Sequence, residues 1–222
     1  MNHRTLFSTP RRAMRAIDLR LTVALVVGVL LLTLDYYNTW LPVESRAELL
    51  RVEAVESLLF YLVVPLLLIA AFGDSPRDYG FRLGHWRQGL LWALGSALAA
   101  LPLLFISTRA PEMSSYYGDT NRPVLEVLWV SWVDLLGWEF FFRGYLLFLL
   151  ARLVGPNAIL LQAVPFAIAH FGKPQLETLT TLFGGAFFGW IAWRTRSFLY
   201  PFLFHWLINA FVYLAASGAF GV

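Results

Sequence analysis

Glu139, Arg143, His170, His205 and Asn209 are the residues whose types and spacing can do chemistry, and each lies in a strongly apolar stretch. Glu139 and Arg143 sit one helical turn apart in Trp-Glu-Phe-Phe-Phe-Arg-Gly. His170 ends Phe-Ala-Ile-Ala-His, one turn after Phe166, and His205 opens His-Trp-Leu-Ile-Asn, one turn before Asn209. An ionisable side chain in hydrocarbon costs roughly 2.5 kcal/mol or more unless it is paired or faces a cavity. Glu139, His170 and His205 on separate segments therefore predict convergence on one polar pocket inside a helix bundle. A carboxylate and two imidazoles suffice there for hydrolysis. Glu139 would take a proton from water, with its pKa raised by burial and lowered again by Arg143. His170 would orient that water or protonate the leaving amine, while His205 and Asn209 donate hydrogen bonds to the oxyanion. The same Glu-His-His set could instead hold a divalent metal, but the His-Glu-x-x-His signature is absent, which puts metal catalysis second.

Each residue also has a plainer reading. Glu139 and Arg143 could be a structural ion pair, His170 an interfacial histidine beside Phe-Gly-Lys-Pro, and His205 a helix-helix hydrogen bond partner of Asn209. It is their joint occurrence that argues for chemistry. Asp134, one turn before Trp138, reads more readily as an acid that snorkels or pairs with an arginine than as a second pocket carboxylate.

The elements that must position these residues are membrane helices. Of 222 residues, 59% are hydrophobic and only 14% charged, with a mean hydropathy of +0.63; soluble domains carry about 25% charged residues. Apolar runs predict seven spans, at roughly 19–34, 57–72, 88–107, 124–150, 157–171, 177–193 and 198–216. Several fall short of the ~20 residues of a straight crossing, so tilted or broken helices and an eighth split segment are allowed. The fold class expected is an all-α, polytopic helix bundle forming one domain over 1–222, with a basic tail at 1–18. Cysteine is absent, which removes disulfides and any thiolate chemistry.

The net charge of +3 does not point to nucleic acid, because the basic residues sit mostly in short loops. The first twenty residues hold Arg4, Arg11, Arg12, Arg15 and Arg20, while Arg77, Arg82 and Arg87 follow the second span, and Arg152, Arg194 and Arg196 cluster at later turns. The acidic Glu44, Glu48, Glu53 and Glu56 fall on the other side. By the positive-inside rule the N-terminus is cytoplasmic and the C-terminus outside. No small-x-small cleavage site follows the first apolar run, which reads as a retained helix ending in an aromatic belt through Trp40. Segment 73–87, basic and aromatic, is expected along the cytoplasmic surface. Gly184, Gly185 and Gly189 read as a smooth packing face.

Glu-x-x-x-Arg, Phe-x-x-x-His and His-x-x-x-Asn, in this order on three apolar segments, resemble the CPBP family of CAAX-type and bacteriocin-processing intramembrane endopeptidases, also called Abi. The resemblance covers about 120–215. It implies a polytopic intramembrane protease in which glutamate and histidines activate water. Such proteases have been described both as metal-dependent and as glutamate proteases, and the version without cofactor is the one expected here. One departure matters: the family pattern has two adjacent glutamates, and Trp138 stands at the first, the usual base. Glu139 taking that role, Asp134 supplying the carboxylate from one turn away, and a fold that has lost catalysis are the three explanations, the first preferred.

The expectation is thus an endopeptidase in a bacterial inner membrane, acting on a membrane-associated or lipid-anchored protein or peptide. The lipid bilayer is its other partner, and nucleic acid is not one. A non-catalytic peptide-binding factor of the same fold is the rival. A small-solute transporter would show inverted repeats, and none is visible.

Overall fold

The computed structural model describes residues 19–37, 42–118 and 122–218. The basic tail at 1–18 and the belt residue Trp40 lie outside these. The described chain is helical throughout. In order it runs α1 (Leu19–Tyr36), α2 (Arg46–Ser57), α3 (Val64–Ala71), α4 (Trp86–Ser107), α5 (Pro111–Tyr117), α6 (Val124–Glu139), α7 (Leu147–Val154), α8 (Ala158–Leu161), α9 (Ala163–Ile168), α10 (Gln175–Thr195) and α11 (Leu199–Ala216). Wide π turns at Leu58–Val63 and Phe140–Leu146 join α2 to α3 and α6 to α7 without a break.

Five helices among the described residues are long and apolar enough to cross a bilayer: Leu19–Tyr36, Arg46–Ala71, Trp86–Ser107, Val124–Ile168 and Leu199–Ala216. The protein is therefore a polytopic membrane protein, with five such helices where seven spans were expected. The difference has two causes. The 157–171 run is counted within Val124–Ile168, where it forms only the short α8 and α9, about 17 Å of helix at ~1.5 Å per residue. The other is α10, which has a crossing's length at 21 residues but carries Glu177, Thr178, Thr180 and Thr181 in its first half.

Gly155 turns the chain back, its φ of +56° lying where a side chain would be disfavoured. The returning α8 and α9 then lie against the second π turn, where the Phe142 and Phe166 rings meet at 5.1 Å. This half-length return ends at His170 and delivers it into the bundle.

The bundle has two unlike ends. At one, Asp74 binds Arg152 at 3.0 Å and Arg20 at 3.3 Å, tying the start of α1 to the end of α7. The loop before α4 is fastened to the α10–α11 turn there, with the His85 amide donating to the Thr195 carbonyl at 2.8 Å. At the other end, Arg51 of α2 pairs with Glu126 of α6 at 2.8 Å, and Tyr117 of α5 donates to Glu177 of α10 at 2.6 Å.

The aromatic core explains the close packing. Tyr61 on the first π turn lies 4.7 Å from Trp138 and 5.4 Å from Phe141. A Cβ on Gly137 would come within 2.3 Å of the Ser57 carbonyl oxygen, so α2 and α6 can approach only at glycine. Of the three glycines of α10, Gly185 packs on Phe166 and Gly189 on Gln162, whereas a Cβ on Gly184 would meet nothing within 4 Å.

Candidate functional site

Glu139 closes α6 and Arg143 sits in the π turn that follows; both side chains are fully buried. The second carboxylate oxygen of Glu139 lies 3.4 Å from Arg143 Nε. The guanidinium stacks 3.7 Å above the Phe166 ring and 5.1 Å from that of Phe188, which gives the cation a π face in place of water. A cation without hydrogen-bond partners in a dry interior is costly, so the adjacent carboxylate is what makes Arg143 tolerable there.

The first carboxylate oxygen of Glu139 is 2.8 Å from His205 Nδ1 on α11. Facing a carboxylate, Nδ1 carries the proton and donates it, which leaves Nε2 as a lone-pair acceptor. His170 Nδ1 lies 2.8 Å from the Phe166 carbonyl oxygen and donates to it by the same logic, so its Nε2 is the free acceptor too. Phe166 therefore positions two groups, holding His170 with its carbonyl and Arg143 with its ring.

His170, His205 and Asn209 line the wall of a polar cavity of about 310 Å³ that extends to Asp35, Glu53 and Arg122 at the acidic end of the bundle. The same three also line a second cavity of about 470 Å³, between α4, α10 and α11, whose wall includes Leu103, Leu176, Phe183 and Val212. The imidazoles stand where water-accepting and apolar spaces meet. The Asn209 amide oxygen is buried and has no hydrogen-bond partner among the described residues.

All five expected residues thus come together, in two tiers. His170, His205 and Asn209 face the cavities, while Glu139 and Arg143 lie behind, and Glu139 lines neither space. Asp134 lines the polar cavity beside Trp138, the less favoured of the two expectations for it. Its turn of helix is held there by the Ser57 hydroxyl, which donates to its backbone carbonyl at 2.6 Å. The spacing of Asp134 from Trp138 was the available signal, but it does not say which face of α6 is wet. Tyr117, which lines both cavities, was not singled out at all.

Both oxygens of Glu139 are turned to His205 and Arg143, and both Nδ1 atoms are committed to acceptors, so Nε2 is the atom each imidazole has left to offer. Among the described residues no group of three or more His, Asp or Glu side chains is placed to hold an ion.

Residues 120–211 match a family described as Rce1-like, type II CAAX prenyl endopeptidase Rce1-like. The match takes in all five site residues and covers the helices from α6 through most of α11. This part of the chain is a CAAX-protease-type domain of the CPBP superfamily. No curated protein and no solved structure matches the chain.

Proposed function

We infer that this protein is an intramembrane endopeptidase that hydrolyses a peptide bond in a membrane-associated or lipid-anchored protein. The observation that carries this reading is the 2.8 Å contact of His205 Nδ1 with Glu139, on a histidine that lines both cavities. A buried carboxylate behind an imidazole fixes its tautomer and stabilises the imidazolium.

His205 Nε2 then takes the proton of a water as its oxygen attacks the scissile carbonyl carbon. His170 Nε2 accepts that water's second hydrogen and aims a lone pair. The side-chain amide of Asn209 donates to the oxyanion, a task that neither imidazole can perform from Nε2 before it gains a proton. The His205 imidazolium, held by Glu139, returns its proton to the leaving amine, and the products are a carboxylate and an amine. Glu139 is thereby moved from general base to the group that orients the base, because its carboxylate is spent on His205 and Arg143. Arg143 pairs with the other oxygen of that carboxylate.

The apolar cavity suits the membrane-held part of a substrate, and the polar one suits water and a polar segment. With the basic end of the bundle cytoplasmic, the polar cavity opens toward the outer face. Cleavage in ¹⁸O-water by the purified chain in proteoliposomes tests the chemistry. One ¹⁸O in the new C-terminal carboxylate is expected, and products without it would contradict direct attack by water. Trp138 on the cavity wall, where the resembling pattern has a glutamate, favours one rival: a peptide-binding factor without catalysis. That protein would function unchanged as His205→Ala.

A further inference from the structure

The basic end of the bundle carries a charge cluster that the candidate site does not use. Arg77, Arg82, Arg87, Arg194 and Arg196 are all exposed, and among the described residues none takes part in an ion pair. Of the carboxylates at this end, Asp74 is engaged by Arg20 and Arg152, and Asp78 stands exposed beside Arg77 without an ion pair among the described residues.

Two distant loops are locked together to make this cluster. Arg82 Nε donates to the Arg196 backbone carbonyl at 3.0 Å, which anchors the Arg82 guanidinium to the α10–α11 turn. The Phe198 amide donates to the Gly80 carbonyl at 3.3 Å and the Tyr200 hydroxyl to the Leu83 carbonyl at 2.5 Å. A Cβ on Gly84 would lie 2.0 Å from the Thr195 carbonyl oxygen, so the loops touch backbone to backbone. Arg196 caps α10 with φ of +58°, the single non-glycine residue with positive φ among those described. Such a conformation costs an L-residue roughly 1–2 kcal/mol, and here it turns a carbonyl to Arg82.

Apolar anchors flank the charges. Leu83 is 67% exposed, Trp86 50% and Phe81 42%. The guanidinium of Arg87 sits over Trp86 and that of Arg196 over Trp193, at 5.3 Å in each case. Arginines alternating with tryptophan and leucine at the end of a membrane helix bundle match the level of phospholipid headgroups.

We propose that this collar is a binding site for anionic phospholipid, whose headgroup phosphate is held by the arginines of both loops. The site clamps the α10–α11 turn, and α11 carries His205, so a bound lipid stiffens the helix on which the candidate base sits.

The test is native mass spectrometry of the full chain titrated with phosphatidylglycerol or phosphatidylcholine in detergent. Thermal unfolding is followed in nanodiscs of each lipid. The wild-type chain should retain phosphatidylglycerol preferentially and melt at a higher temperature in it. Arg77→Gln/Arg87→Gln/Arg194→Gln leaves the Arg82 clamp intact and should weaken retention by about five-fold for each arginine removed. Arg46→Gln/Arg109→Gln, at the opposite end, should leave it unchanged. Equal retention of the two lipids, or a triple variant that binds like wild type, overturns the proposal. Displacement of the lipid by millimolar inorganic phosphate overturns it as well, since the site would then be one for free anions. None of these outcomes depends on peptidase activity, so the proposal stands or falls apart from the proposed function.

Discussion

A buried glutamate that holds both an arginine and a histidine has to be tested for two roles at once. Glu139→Gln should lower turnover and also destabilise the fold, because the Arg143 guanidinium loses the one carboxylate it pairs with among the described residues; removing one partner of a buried pair costs about 3–5 kcal/mol. His205→Ala should lower kcat by about 10²–10⁴ while shifting the melting temperature far less, since its ring is part of a cavity wall. A His205 variant that melts as early as the Glu139 variant would mean that the contact is structural. The identities of these residues were legible in the sequence because charge is conspicuous in apolar runs. Their roles were not. Which oxygen meets which nitrogen depends on the π turn that carries Arg143 under α6 and on the α9 carbonyl that takes the proton of His170. A periodic reading of an ordinary helix contains neither.

Helix junctions set where the site lies. Gly137 admits α2 to the face of α6 that bears Asp134, and Gly137→Val should cost roughly 1–3 kcal/mol, read as a fall in melting temperature; an unchanged melting temperature would contradict the close approach. Asp74 fastens three elements at the basic end. The Tyr79 hydroxyl donating at 2.6 Å is the largest influence holding its carboxyl below the usual carboxylate range; burial opposes it, and Arg152 and Arg20 add to the lowering. A folded-state pKa below the unfolded one gives stability that is present at neutral pH and is lost as pH falls through the depressed value. Removing it by Asp74→Asn should flatten the acid limb of the stability-pH curve below about pH 4. The apolar runs made the long helices legible. The half-length return of α8 and α9 was not, because a short apolar stretch reads alike whether it crosses a membrane or stops inside a protein. Gly155 and its positive φ decide between them.

At the scale of the whole molecule, the bundle separates a wet space from an apolar one and brings them together at His170, His205 and Asn209. Gly184 lies on the apolar wall with open space around its Cβ position, so Gly184→Leu should fold normally and raise KM for a membrane-held substrate. A lowered melting temperature, or an unaltered KM with an otherwise intact protein, would argue against that cavity as the substrate's path. The membrane character was visible from composition, and the motifs pointed to a segment of about 120–215, of which the family match takes in 120–211. The two cavities were not, because they are made by side chains from helices far apart in sequence. The most direct measurement is quantitative terminomics on native membranes carrying wild-type protein or His205→Ala at equal abundance. The account predicts new peptide termini that appear with the wild-type chain and vanish with the variant. The same termini in both membranes would contradict it.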